Sequence, residues 1–258
     1  MMRISLIQTD IVWENKTENL LLLEAKLRDL KGNSDLVVLP EMFSTGFSMK
    51  SRLLAESNDG PTITVLKSWS RTYQVAITGS FIASENGKFF NRAFFLTPEG
   101  EAFYYDKKHL FRMGEEPKHF DAGNRYEIIR YRGWNIRLAV CYDLRFPVWL
   151  RNKNNEYDLL IVVASWPEAR RHPWEVLLCA RAIENQCFVC GVNRVGVDGN
   201  GFPHSGQSLF FDAKGECLAR FDAYEEGVRT IAPDLDSLQS FRNKFPVWKD
   251  ADDFVISC

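Results

Sequence analysis

A thiol, a carboxylate and an amine can together carry out acyl transfer without a histidine base, and this chain sets one of each at or near a strand end. The thiol is Cys141. It follows Ile136, Leu138 and Val140, which alternate with Asn135, Arg137 and Ala139 in a strand-like pattern. Asp143, Arg145 and Pro147 then make continuation of the strand unfavourable. A cysteine at the end of a buried strand, just before a turn, holds its sulfur clear of the sheet. The backbone N–H groups that follow can face a developing oxyanion. Taken alone, Cys141 reads more readily as a core cysteine, because free cysteine packs well and reactivity depends on its partners. The carboxylate is Glu41, just past the apolar run 36–39 and the ladder-ending Pro40. The amine is Lys107 or Lys108, after a hairpin. The carboxylate would take the thiol proton, the amine would steady thiolate and oxyanion, and the thiolate would attack a carbonyl. The plainer readings are a solvated loop carboxylate and an exposed basic patch.

These groups act together only if the fold brings strand ends to one place. Residues 3–8 read as a first strand. Asn15 or Thr17 can cap a helix carrying Leu20, Leu23, Leu27 and Leu30, which Gly32 and Asn33 end. The run 36–39 is apolar throughout, as suits a sheet covered on both faces. Gly60 and Pro61 open a helix with Val65, Leu66 and Trp69, and 75–80 is a third strand that Phe81 and Ile82 extend. Asn86-Gly87 and Pro98-Glu99-Gly100 are hairpin signals flanking 89–96 and 102–105. The segment 106–124 is polar and charged. Three more strands follow, over 136–140, 159–164 and 187–193, with helices expected over 148–155 and 174–186. A hairpin joins 207–212 to 217–221 across Lys214 and Gly215, 228–232 is a last strand, and the tail from Leu235 is polar with isolated aromatics. The organisation repeats although the sequence does not. It predicts two α/β halves with their sheets packed together and helices outside, in one domain over residues 1–258. Ligands of open α/β sheets gather at the C-terminal strand ends, where Glu41 and Cys141 fall.

The totals narrow the partners. A chain of 258 residues that is 45% hydrophobic has material for a large core. A formal net charge of −2 argues against nucleic acid or an anionic membrane as the main partner. No charged leader precedes a long apolar segment, and no run approaches the ~20 apolar residues of a membrane span. The expectation is therefore a cytoplasmic protein. Six cysteines in a chain this long do not make a disulfide scaffold. Cys187 and Cys190 stand three apart in a strand-like stretch, so they point to opposite faces and read as packing. His109, His119, His172 and His204 show no ligand spacing. No metal and no organic cofactor is expected.

The segments Leu39-Pro40-Glu41-Met42-Phe43, Tyr105-Asp106-Lys107-Lys108-His109-Leu110-Phe111 and Val140-Cys141-Tyr142-Asp143-Leu144-Arg145-Phe146-Pro147 resemble, in order, the three signature blocks of the carbon–nitrogen hydrolase (nitrilase) superfamily. Ser165-Trp166-Pro167 and Arg181-Ala182-Ile183-Glu184-Asn185-Gln186 support the resemblance, which spans essentially the whole chain. Within the superfamily the chain is most similar to bacterial omega-amidases, through residues 107–113 and the tail 244–252. The resemblance implies a four-layer α-β-β-α sandwich and a Glu41–Lys107–Cys141 triad. Lys107 is preferred over Lys108 because the family lysine lies two residues before the histidine of its block. A second family glutamate matches Glu116, with Glu115 as its neighbour and Gly123 as the glycine downstream. The Tyr142 N–H would complete the oxyanion site. The implied substrates are 2-oxoglutaramate and 2-oxosuccinamate; the alternative is another small linear amide, such as an N-carbamoyl compound. A 2-oxo acid carries a carboxylate, for which Arg170 and Arg171 are candidates, with Phe43, Trp166 and Trp174 as pocket walls. Arg145 and Asp143 are expected to brace the turn. Relatives of this kind assemble as dimers or larger, and the tail around Phe245 and Trp248 suits such a contact.

Overall fold

A computed structural model describes residues 1–256. The first half runs β1 (Ile4–Gln8), α1 (Lys16–Leu30), β2 (Leu36–Val38), α2 (Ser51–Leu54), α3 (Pro61–Tyr73), β3 (Ala76–Glu85), β4 (Lys88–Leu96) and β5 (Ala102–Asp106). The second runs β6 (Ile129–Tyr131), β7 (Trp134–Val140), β8 (Leu159–Ala164), α4 (Arg171–Asn185), β9 (Phe188–Asn193), β10 (Val195–Val197), β11 (Pro203–Ser205), β12 (Leu209–Phe211) and β13 (Cys217–Arg220). β14 (Gly227–Ile231) and α5 (Leu235–Lys244) complete the chain.

The strands form two six-stranded sheets of matching design. The first has the order β14-β1-β2-β3-β4-β5, the second β13-β12-β9-β8-β7-β6. In each, three successive strands are parallel, and antiparallel strands flank them on both sides. β1, β2 and β3 therefore correspond to β7, β8 and β9. Strand alternation explains the layers. Ile4, Leu6, Leu36 and Val38 join β7–β9 residues such as Leu138 and Ile161 in one core between the sheets. Ile7, Val37, Leu39 and Ile77 face the other way, onto Leu23 and Leu27 of α1 and Ile63 and Leu66 of α3. Trp174, Leu178 and Ala182 of α4 cover the second sheet. This is a four-layer α-β-β-α sandwich, and each fully buried aliphatic side chain such as Leu27 contributes ~1.5–3 kcal/mol.

Local chemistry sets most boundaries. Asn15 caps α1 by accepting from the Glu18 N–H, and Pro61 opens α3 at its first turn. One expectation needs correction. Residues 148–155 are not a helix but turns ending in a short 3-10 turn, Lys153–Asn155. Asn154 and Asn155 both take positive φ, and the Asn152 side chain bonds the backbone of Tyr157 and Asn185, which draws the chain away from helix. Within the polar tail α5 forms from Leu235, a helix the sequence pattern did not mark. Asp234 caps it through the N–H groups of Asp236 and Ser237, and Leu238 packs into the main core. The short strands β6, β10 and β11 were also outside the sequence reading.

Candidate active site

At the C-terminal ends of the parallel strands, three buried charges meet. The apolar β2 carries Glu41 just past its end, where the side chain is wholly buried. Glu41 Oε1 accepts from Lys107 Nζ at 2.9 Å and from Asn91 Nδ2 at 2.7 Å. Its Oε2 accepts from the Ser165 N–H at 2.8 Å, and its own N–H donates to the Ala164 carbonyl at 3.3 Å. Ser165 stands just past β8, the counterpart of β2. The two halves thus meet strand end to strand end.

Lys107 follows β5 and is also buried. Its ammonium lies 3.0 Å from Glu116 Oε1 and 2.9 Å from Oε2, and 5.2 Å from the centre of the Phe47 ring. Burial opposes the Lys107 charge, but Glu116 and Glu41 outweigh it and raise the group above its ordinary value. Glu116 reaches the cluster from the polar segment, where Pro117 opens a tight 3-10 turn. Its Oε2 accepts from the Phe111 N–H at 2.6 Å. Burial raises the Glu116 carboxyl, and Lys107 pulls it back. Gly123 donates its N–H to the Lys107 carbonyl at 2.9 Å. A Cβ on Gly123 would lie 2.1 Å from the Asp106 carbonyl oxygen, so only glycine lets the chain close on the lysine here.

Cys141 directly follows β7 and begins a 3-10 turn, Cys141–Arg145. Its φ is +45°, a left-handed conformation that costs a side-chain-bearing residue energy and turns the sulfur out of the sheet. Burial and the Glu41 charge push the thiol well above its usual value, while Lys107 and the Ser165 N–H pull the other way. A cavity of about 200 Å³ opens on Cys141 and Lys107. Trp166, Phe47, Phe111 and Phe202 wall it, and two guanidinium groups reach it. Arg145 lies 4.9 Å over the Trp166 ring and Arg170 lies 5.3 Å over the Phe111 ring.

The structure therefore brings together Glu41, Lys107, Glu116 and Cys141, with Tyr142, Trp166 and Arg170 lining the same cavity. It places three other candidates elsewhere. Phe43 packs in the first helix–sheet core, edge-on to Phe94. Trp174 packs against Trp166 from behind and donates its indole N–H to the Gln207 carbonyl. Arg171 begins α4 and is exposed, outside the cavity lining. Arg145 faces the cavity instead of only bracing the turn, whereas Asp143 does brace it, accepting from the Val140 N–H at 3.1 Å.

Sequence reasoning missed Asn91. Its amide donates to Glu41 and, at 3.1 Å, to Glu116, and its oxygen accepts from the Ser80 hydroxyl at 3.0 Å. The available signal was an asparagine on the face of β4 that otherwise buries Ala93 and Phe95. A buried amide among apolar neighbours needs polar partners.

Two facing sheets with helices outside, and a Glu–Lys–Glu cluster beside a strand-end cysteine, define a class of C–N bond hydrolases. The carbon–nitrogen hydrolase family model matches residues 3–243, and the chain belongs to that family. Among its relatives, the omega-amidase YafV of Escherichia coli K12 is 41% identical over 253 residues, covering 98% of both chains. The 2-oxoglutaramate amidase of Bacillus subtilis 168 is 32% identical, covering 96% of each. A CN-hydrolase superfamily protein of Xanthomonas campestris, solved with an arsenic adduct in its active site, superposes with a TM-score of 0.97 at 41% identity over 99% of both chains.

Proposed function

We propose that this protein is an omega-amidase, hydrolysing the terminal amide of a 2-oxo dicarboxylic acid monoamide such as 2-oxoglutaramate or 2-oxosuccinamate. The observation that carries the reading is the buried Glu41–Lys107–Glu116 cluster opening on Cys141 in a small cavity lined by two arginines. The likeness to enzymes named for omega-amidase and 2-oxoglutaramate amidase activity supports the substrate class.

In this mechanism Glu41 takes the Cys141 proton as the sulfur attacks the amide carbon. Its Oε1 already serves two donors and its Oε2 one, so Oε2 has capacity left for the proton. A thiol held protonated by burial suits transfer during attack. The oxyanion of the tetrahedral intermediate is met by Lys107 and the Tyr142 N–H. Glu41 returns the proton to the departing ammonia, leaving a thioester. It then activates the water that cleaves the thioester and releases the dicarboxylate. Glu116 and Asn91 hold Lys107 and Glu41 in register. Arg170 and Arg145 take the substrate's distal carboxylate, and stacking on Phe111 and Trp166 fixes their planes. No cofactor enters the scheme.

The test is ammonia release from 2-oxoglutaramate beside glutamine and an N-carbamoyl amino acid, with Cys141→Ala as control. Release from the 2-oxo amide, lost in the variant, is expected. Release from the N-carbamoyl compound alone would keep the chemistry and overturn the substrate. Assembly belongs to the same proposal: α5 packs on its own subunit, which leaves the exposed Phe245 for a second copy, and sedimentation would report the dimer.

A further inference from the structure

Lys107 and Cys141 come from different sheets, and one carboxylate that touches neither spans the gap between them. Asp143 lies two residues beyond Cys141 and is wholly buried. Its Oδ1 accepts from the His109 backbone N–H at 2.9 Å and faces the His109 ring Nδ1 at 2.8 Å. His109 lies two residues beyond Lys107. Asp143 Oδ2 accepts from the Tyr105 hydroxyl at 2.8 Å and from the Val140 N–H at 3.1 Å. Tyr105 lies two residues before Lys107, and Val140 immediately before Cys141. The Tyr105 oxygen in turn accepts from Trp149 Nε1 at 2.9 Å and from the Lys108 N–H at 3.3 Å. The His109 ring stacks flat on Phe146, centroids 3.7 Å apart, so the nucleophile turn is gripped at both ends.

We propose that Asp143 is a positioning residue for the reaction: it fixes the strained Cys141 turn against the Lys107 segment, so that thiol and ammonium keep one separation. This rests on the acyl transfer proposed at Cys141. Both oxygens are fully engaged, each by two donors, so the site reads a carboxylate and not an amide. In Asp143→Asn, the amide nitrogen must face either the Val140 N–H or the His109 N–H, and one link is lost whichever way it turns. A shift of the nucleophile of about 1 Å costs up to about 10²-fold in rate.

The test pairs steady-state kinetics with the rate at which iodoacetamide alkylates Cys141. Asp143→Asn is expected to lower kcat about 10- to 100-fold with KM little changed, and to change the Cys141 alkylation rate in step. His109→Ala is expected to show a smaller version of the same pattern. His109→Asn, whose amide nitrogen sits near the position of the ring Nδ1, is expected to restore part of what His109→Ala loses. If Asp143→Asn does not fold, the His109 pair carries the test. The proposal is overturned if the variants lose thermal stability while kcat and alkylation of the folded protein stay at wild-type values, or if KM alone rises. Should wild type release no ammonia from the 2-oxo amide, the substrate reading fails, but alkylation still reports whether Asp143 sets the thiol.

Discussion

The buried charges around Asp158 and those around Lys107 are built to different ends. Around Asp158, at the edge of the second half, the cluster is closed. Arg242 of α5 donates Nη1 to Asp158 Oδ1 at 2.6 Å, Nε to the Gln186 carbonyl at 2.8 Å and Nη2 to the Tyr157 carbonyl at 2.7 Å. The other Asp158 oxygen takes the backbone and side-chain N–H groups of Asn135 at 3.0 and 3.1 Å. One cation meets one anion, and backbone groups with the neutral amides of Asn135 and Gln239 take up the remaining capacity. At the other cluster two carboxylates share the single ammonium of Lys107, and the group opens on a cavity and a thiol raised above its usual value. A closed pair ties α5 to the sheet. An open cluster in which two carboxylates share one cation is poorly made for stability, and suits the proposed role of taking up a proton and returning it.

The largest effect expected from this contrast is at the open cluster. Under the proposed mechanism Lys107→Gln removes a donor to the oxyanion and should lower kcat about 10²–10³-fold. Its thermal midpoint should fall only modestly, because Glu116, already raised, can take a proton when the ammonium is gone. Thermal melts beside single-turnover kinetics would check this. A variant that loses stability in proportion to activity would erase the distinction between the clusters.

The mirror experiment breaks the closed cluster. Arg242→Ala leaves Asp158 as an unpaired buried charge and should cost about 3–5 kcal/mol. For a chain of this size that lowers the melting temperature by roughly 10 °C. Turnover per folded molecule should not change, since Arg242 lies on α5 and no atom of it lines the cavity. A drop in kcat of the folded protein would show that the two clusters communicate.

The same contrast explains what the sequence made legible. Part of the open site was legible as candidates, because Glu41 and Cys141 stand just past the ends of apolar strands, where a charged group or a thiol needs a reason. The parallel strands were readable for the same cause: leucine and valine runs such as Leu36–Val38 suit little else. Glu116 and Lys107 were reached through block resemblance, since their spacing along a charged segment carries no period. Asn91 stayed hidden because its partners come from distant positions: Ser80, Glu41 and Glu116. The closed cluster was hidden entirely. Asp158 and Arg242 are 84 residues apart and look like any surface charges until α5 folds back. Phe43 and Trp174 were misplaced because an aromatic near a strand-end loop reads alike whether it faces a cavity or packs behind its wall.

The smallest expected effect concerns acid, and the sign differs between groups at the open site. His204 on β11 has its Nε2 3.4 Å from the Ser165 hydroxyl, and burial and Arg194 push its imidazole down to about 4. Unfolded, it titrates near ~6.5. Between those values the unfolded chain binds a proton that the folded chain refuses, so stability falls as pH drops from about 6.5 to about 4. The slope is at most ~1.4 kcal/mol per pH unit, and less where solvent reaches the ring. Glu116 acts oppositely. Its folded carboxyl is raised, so the cost of its charge is full above the folded value and is relieved as acid protonates it. Replacing His204 with glutamine should therefore flatten the melting temperature across pH 6.5 to 4, leaving the opposite trend of Glu116. If His204→Gln and wild type instead lose stability in parallel over that range, the acid sensitivity arises outside the open site, and the closed cluster around Asp158 becomes the place to look.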